Sequence, residues 1–309
     1  MKLVKTIWDE NDKFLSQPDP YIIEAEGKFY IYATNSRGVA CYQSDKLGDF
    51  IYQGLVLQVK GEKEFWAPSV IKIASNYYMY YSSISEDCND LHQQRIKVAV
   101  ATNPLGPFKY VCDLLPPFSI DPHVVIAKNE LYIFYSINDY EAQRAGTYIV
   151  LDKMLDPFRV EGKPVPVVRP TLDEEIFAFD RYKQGQHWHT IEGAFYLNVD
   201  DYHYLMYSGG SYGNDSYFIG YSYAVGTVND LRELNFQKYP NENTYFPLLK
   251  NDDYSEGMGH NSVIKTNEKY YIVYHGRDYG LNNPNYDTRT ARIAELIFNK
   301  DKITVKKFG

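Results

Sequence analysis

Five times along this chain a short apolar stretch is answered, ten residues later, by a second one. The first stretches are Asp19-Pro20-Tyr21-Ile22-Ile23, Ala67-Pro68-Ser69-Val70-Ile71, Asp121-Pro122-His123-Val124-Val125, Glu192-Gly193-Ala194-Phe195-Tyr196 and His260-Asn261-Ser262-Val263-Ile264. The second begin at Phe29, Tyr77, Leu131, Tyr202 and Tyr270 and read FYIYAT, YYMYYS, LYIFYS, YHYLMYS and YYIVYHG, the last two being one residue longer. Turn formers separate them: Glu26-Gly27, Ser75-Asn76, Asn129-Glu130, Asp200-Asp201 and Asn267-Glu268. Each unit therefore reads as a β-hairpin. Third strands are expected over Val39–Gln43, Ile96–Ala101, Thr147–Leu151, Tyr217–Ala224 and Thr290–Phe298.

A repeated unit that cannot bury its own faces must pack against its neighbours. Five such units in series predict an all-β fold, a five-bladed β-propeller with four-stranded blades. A β-sandwich with chance similarity between hairpins is the alternative, and a common offset in all five units argues against it. Aromatic residues at 16 %, with 31 tyrosines, suit pleated surfaces. The tyrosine runs Tyr77-Tyr78 and Tyr80-Tyr81 read as interblade filling. Helical signal is weak, and Asp173–Gln186 is expected to hold a helical turn or a plain loop. The units take up nearly the whole chain, which predicts one propeller domain over residues 1–309. Its last strand is expected from either Lys2–Trp8 or the tail Ile303–Phe308.

The formal charge of −8, with no basic stripe, is a poor match to nucleic acid or to an anionic membrane surface. A small, uncharged substrate fits better. No apolar run approaches the roughly 20 residues of a membrane span. Met1–Phe14 lacks the apolar core of a secretory signal, so a cytoplasmic location is expected. Three widely spaced cysteines, Cys41, Cys88 and Cys112, give neither a disulfide framework nor a zinc site. An acidic, aromatic-rich propeller is expected to expose a self-association patch and form a homo-oligomer.

The innermost strand of each blade lines the central channel. The first positions of the five units are Asp19, Ala67, Asp121, Glu192 and His260, so three carboxylates and a histidine converge on one mouth. Each of Asp19 and Asp121, taken singly, could merely start a strand before Pro20 or Pro122. Carboxyls grouped around a pocket serve glycoside hydrolysis, where one protonates the leaving oxygen and another activates water. A third carboxyl nearby raises the acid's pKa, because like charges resist joint ionisation.

These residues, with their neighbours, resemble family 43 of the glycoside hydrolases. The likeness rests on Pro18-Asp19-Pro20, Phe65-Trp66-Ala67-Pro68, Ile120-Asp121-Pro122, Ile191-Glu192-Gly193 and Gly259-His260-Asn261-Ser262-Val263, and it extends over nearly the whole chain. It implies an inverting enzyme on a five-bladed propeller, acting on arabinose- or xylose-containing glycans. By position, Asp19 is similar to the general base, Glu192 to the general acid and Asp121 to the residue that tunes and orients that acid. His260 resembles a channel histidine that contacts a bound metal ion or water. No cofactor is implied for the chemistry, and a structural calcium near the channel, beside His260, is allowed. Arg292 is similar to an arginine that orients substrate or the acid, with Arg289 as the alternative. Trp66 and Phe65 resemble an aromatic wall for a sugar ring. Blade four departs from the pattern, carrying Gly193-Ala194 where many relatives have proline.

Three other features are weighed. Gly209-Gly210-Ser211-Tyr212-Gly213 matches a serine nucleophile elbow, but a strand is expected after it where that motif needs a helix. It reads as a loop bordering the pocket. His187-Trp188-His189 reads as packing or substrate contact before metal, since spacing places no third ligand. Asp139, Glu141, Arg144, Arg277 and Asp278 read as solvated loop charges.

The resemblance favours an exo-acting α-L-arabinofuranosidase trimming short arabino-oligosaccharides. The alternative is a β-xylosidase. Family xylosidases often carry an extra C-terminal sandwich, and this chain ends about ten residues after its last expected strand. A second alternative is a silent sugar-binding propeller, which should have lost a carboxylate. A retaining, invertase-like enzyme should show Arg-Asp-Pro and Glu-Cys signatures, and neither is present.

Overall fold

The computed structural model describes residue 3, residues 15–283 and residues 286–307. The five repeats are five antiparallel blades. Blade one is β1 (Tyr21–Ala25), β2 (Lys28–Ala33), β3 (Val39–Ser44) and β4 (Ile51–Leu57). Blade two is β5 (Glu62–Ile73), β6 (Asn76–Ser85), β7 (Arg95–Ala101) and β8 (Lys109–Asp113). Blade three has β9 (Ile120–Ala127), β10 (Glu130–Asp139) and β11 (Gly146–Asp156), with the short β12 (Arg159–Val160) and β13 (Val165–Val168) both on the outer edge of β11. The short β14 (Ile176–Ala178) leads into blade four, which is β15 (Trp188–Val199), β16 (Tyr202–Gly209), β17 (Phe218–Val225) and β18 (Gln237–Lys238). Blade five is β19 (Ser255–Thr266), β20 (Lys269–Asp278), β21 (Thr290–Asn299) and β22 (Lys302–Lys307). The segment 173–186 combines a single helical turn, Asp173–Glu175, with β14 and a loop.

The apolar interior lies between the blades. Five buried clusters occupy the five joints, that of blades one and two containing Tyr30, Tyr32, Val70 and Met79, that of blades five and one containing Ile31, Tyr42, Val273 and Ile293. Period-2 alternation lets one strand serve two joints. On β6, Tyr77, Met79 and Tyr81 turn towards blade one, while Tyr78 and Tyr80 turn towards blade three. A blade thus has two wet edges and two apolar faces, which is why tyrosine is so abundant. Of the two candidates for the last strand, the tail supplies it: β22 pairs with β21 along Lys302–Lys307, and Phe308 lies outside the described residues. Positions 4–8 of the other candidate also lie outside them. Leu3 is buried between blades five and one, donating its amide to Ala291 O (3.0 Å) and accepting from Phe50 N (3.0 Å).

Blades three and four are joined more closely than the others. Strands β11 and β15 pair in parallel at Gly146–His189 and Thr147–Thr190, merging the two blades into one sheet. A Cβ at position 146 would meet His189 O at 2.0 Å, so only glycine permits the approach. Gly146→Ala should therefore destabilise the protein by about 1–3 kcal/mol, the usual range for forcing atoms into a packed site. Urea denaturation checks this, and an unchanged midpoint would mean the joint can open at no cost.

Candidate active site

The inner strand of every blade breaks step at the same place. In blades two to five, four residues on the inner strand span three on the next: Trp66–Ser69 face Ser82–Tyr80, Ile120–His123 face Ser136–Phe134, Glu192–Phe195 face Ser208–Met206, and Gly259–Ser262 face His275–Val273. In blade one the bond from Thr34 N to Pro18 O marks the matching place. This is a β-bulge. Its second residue takes a left-handed backbone in all five blades: Asp19 (φ 53°), Ala67 (45°), Asp121 (56°), Gly193 (64°) and His260 (43°). Four of these are not glycine, an unusual and strained choice.

The bulge corrects the phase of blade four. Gly193, rather than Glu192, is the counterpart of Asp19 and Asp121, and the extra residue noted in YHYLMYS is this one-residue slip. Glu192 instead shares its phase with Trp66. Because a bulge turns two successive side chains towards one side, both phases reach the mouth. Pro18 with Asp19, Ile120 with Asp121, Trp66, Glu192 and His260 all line one cavity of about 810 Å³.

Side chains from the preceding blade hold four of the five strained amides. Thr34 Oγ1 accepts from Ala67 N (2.7 Å), Ser208 Oγ from His260 N (2.7 Å), His275 Nδ1 from Asp19 N (3.1 Å) and Asp121 Oδ2 from Gly193 N (3.0 Å). One layer below, Tyr21, His123 and Phe195 plug the channel. Tyr21 Oη lies 3.3 Å from His123 Nδ1, and the His123 and Phe195 rings are 4.3 Å apart. These contacts join blade one to blade three, which are not neighbours, so they cross the axis. The cavity is a well with a floor.

Within this well the carboxyls diverge. Burial alone would raise the pKa of Asp19, but His260 (3.5 Å), the His275 hydrogen bond and Arg289 (3.6 Å) outweigh it and hold the group well below the carboxylate range. Thr34 Oγ1 also donates to Asp19 Oδ2 at 2.5 Å. Glu192 is pushed up to about 7, by burial first and then by the charge of Asp19; the hydrogen bond from Tyr217 Oη to Glu192 Oε1 (2.8 Å) and Arg289 act against this. Asp121 is also pushed up, by burial and by the charges of Glu192 and Asp19. His260 Nδ1 lies 4.0 Å from Asp121 Oδ2; burial lowers its pKa, and the charge of Asp19 acts against this. One buried pocket thus holds an ionised carboxylate and a carboxyl that keeps its proton to near neutrality.

The supporting residues were not all legible in the sequence. Tyr217 stacks on His275 with ring planes 8° apart and centroids 5.6 Å apart, so the partner of Glu192 rests on the partner of Asp19. A Cβ on Gly259 would lie 1.8 Å from the Tyr217 ring, which reserves the slot for that ring. Arg289 lines the well, braced by two oxygens of Asp287 and lying over Tyr212 with 5.1 Å to the ring centroid. Trp66 faces the cavity with its indole nitrogen donating to Glu64 Oε2 (3.1 Å).

Several expectations need correction. Arg292 does not line the well. It sits on β21, a third strand set back from the channel, and is buried against Asp278 Oδ1 at 2.8 Å. Phe65 is fully buried and stacked on Tyr81 (5.6 Å, 16°); adjacent residues point to opposite faces, so only Trp66 can be a wall. Arg277 is not a solvated charge. It is buried, donating to Tyr212 O (2.9 Å) and Asn214 O (2.7 Å), and it anchors the loop that carries Tyr212. The Gly209–Gly213 loop borders the well through Tyr212, and a strand follows it as expected. His187 and His189 separate, one beside Asp180 (3.5 Å) and the other against Arg144 (2.9 Å), and neither lines the well. Among the described residues no group of three acidic, histidine or cysteine side chains is arranged to hold a metal ion.

Comparison with known proteins agrees with this fold. A solved thermostable family-43 glycoside hydrolase is 29 % identical, with a TM-score of 0.78 over 94 % of this chain and 93 % of that one. An α-L-arabinofuranosidase from Lactobacillus brevis superposes with a TM-score of 0.76 over 95 % of this chain and 94 % of that one, at 22 % identity, and so shows the fold alone. An extracellular exo-α-(1→5)-L-arabinofuranosidase of Streptomyces avermitilis is 25 % identical over 252 residues, 76 % of this chain but 48 % of the relative. The chain thus spans about half the length of that relative, whose extracellular location gives the cytoplasmic expectation no support. The glycosyl hydrolases family 43 model matches residues 14–304, and the chain, a five-bladed β-propeller, belongs to that family.

Proposed function

We propose that this protein is an inverting, exo-acting α-L-arabinofuranosidase that releases arabinose from short arabino-oligosaccharides. The observation that carries the mechanism is the opposite displacement of two carboxyls in one well, Asp19 down and Glu192 up to about 7. In this reading Asp19 takes a proton from a water as the water oxygen bonds to the anomeric carbon. Glu192 gives its proton to the glycosidic oxygen as the bond from that oxygen to the anomeric carbon breaks. The water attacks from the face opposite the leaving group, so configuration inverts. Turnover leaves Asp19 protonated and Glu192 ionised, and exchange with solvent restores both. Asp121, through Gly193 N, fixes the turn that carries Glu192. The closed floor supports an exo action, since a well accepts a chain end. The arabinoside preference rests on the resemblance and on the activity named for the Streptomyces relative; a β-xylosidase remains the competing specificity.

Release of p-nitrophenol from α-L-arabinofuranoside and β-D-xylopyranoside should favour the arabinoside, and the reverse order would make the enzyme a xylosidase. Glu192→Ala should slow arabino-oligosaccharide hydrolysis by about 10²–10⁴-fold, the usual worth of general acid catalysis. It should slow the aryl glycoside much less, because that leaving group needs little protonation. Equal losses on both would remove Glu192 as the acid. Proton NMR of the first product should show the β-anomer, and an initial α-anomer would exclude inversion.

The pH dependence follows from the signs. Glu192 is competent while protonated, so kcat/KM should fall as pH rises through about 7. Asp19 is ionised throughout the ordinary range and sets no limb there. Tyr217→Phe removes a donor that favours the ionised form of Glu192, so the basic limb should move upward by about one pH unit. A limb that stays in place, or moves down, would show that the 2.8 Å hydrogen bond does not act on the titrating group.

A further inference from the structure

A second concavity opens on the same face as the well, between blades two and three, with a volume of about 520 Å³. The two share a rim. Leu91 lines the well, while His92 and Gln93 of the same helical turn, Leu91–Gln93, line the cleft. We propose that this cleft binds the sugar units of the oligosaccharide that lie beyond the residue seated in the well. The inference rests on the reading of the chain as an oligosaccharide exo-glycosidase.

The lining has the mixture that sugars need, apolar faces with a few fixed polar atoms. Leu115, Phe118, Ile137 and Tyr140 supply the apolar faces, and Asn138 and His92 the polar atoms. Each is held before any ligand arrives. Tyr140 is about half exposed, yet its ring is backed by Trp188 at 5.1 Å, and its hydroxyl accepts from Asn138 Nδ2 at 3.3 Å. His92 is fixed from both sides. Its Nδ1 lies 2.9 Å from Asp90 Oδ1, and its Nε2 lies 3.3 Å from Arg181 Nη2, on the loop between blades three and four. Arg181 in turn lies over the Trp188 ring at 4.9 Å. An exposed aromatic ring pinned by buried neighbours loses little freedom on binding, which is the property of a recognition platform. None of these residues belongs to the reacting centre, so their contribution should grow with substrate length and vanish for the shortest substrates.

The test is kcat/KM across oligosaccharides of two to six units, arabino- and xylo- series both, alongside the p-nitrophenyl glycosides, for wild type, Tyr140→Ala, Tyr140→Phe and Phe118→Ala. Wild type should cleave longer members faster. Tyr140→Ala and Phe118→Ala should lose about tenfold on the long members, the loss of roughly one aromatic contact. They should leave the aryl glycosides unchanged, and Tyr140→Phe, which keeps the ring, should retain most of the length effect. A flat wild-type series overturns the proposal. So does an equal loss at every length, or a loss confined to the aryl glycosides, which would place the leaving group itself in the cleft. The aryl glycosides and the choice of series test the assigned activity separately: a switch to xylose changes which series is cleaved but leaves the length ratio readable.

Discussion

Everything at the mouth of this propeller depends on one backbone device, the bulge at the head of each inner strand. A regular strand shows every second side chain to the channel and would offer one residue per blade. The bulge offers two. Asp19, Asp121 and His260 occupy one phase, Trp66 and Glu192 the other, and the well is assembled from both. Left-handed aspartate, alanine and histidine cost of order 1–3 kcal/mol each. At Ala67, His260 and Asp19 the strained amide is given an acceptor on the preceding blade, Thr34, Ser208 or His275, and Gly193 is held in the same way by Asp121. These bonds tie four of the five blade joints together around the axis.

That arrangement explains how neighbouring carboxyls in one buried space come to hold opposite charge states. Burial raises all three, so burial cannot be what distinguishes them. The partners do. Asp19 faces His260, His275 and Arg289; its carboxylate accepts a hydrogen bond from Thr34, and its amide donates one to His275. Asp121 faces Glu192 and Asp19 and has one backbone amide in compensation. Glu192 has the phenol of Tyr217 and the charge of Arg289. Cationic and aromatic-nitrogen partners collect at the joint of blades five and one, and Asp121 of blade three meets His260 only at 4.0 Å. The asymmetry is set by which blade each residue belongs to.

Much of this was legible in the chain, and the failures have physical causes. The hairpin repeat gives the blades because period-2 patterning and turn chemistry are local. The first-position carboxylates are visible because they stand where apolar strands begin. The slip in blade four was hidden because Glu192 and Gly193 are adjacent, and only the pairing of Phe195 with Met206 tells them apart. The acceptors Thr34, Ser208 and His275 were in plain view as late residues of the second stretches, where a small polar residue or a histidine interrupts an apolar run in every blade. Their partner lies one blade away, a relation no local pattern carries. Arg292 and Arg289 are three positions apart, and distance from the axis separates them, not sequence. Arg277 reads as a loop charge, yet two carbonyls of the neighbouring blade bury it.

The joint between blades four and five carries the chemistry more than any other. Tyr217 from blade four lies flat on His275 from blade five, in a slot that Gly259 leaves empty. Tyr217 orients Glu192 and His275 holds the Asp19 amide, so both carboxyls are referenced to a single pair of stacked rings. A shift of that pair would move both carboxyls together, and a gap between the rings would change their separation. In the proposed inverting reaction that separation rests on the packing of two aromatic side chains, one of which, Tyr217, also lines the well.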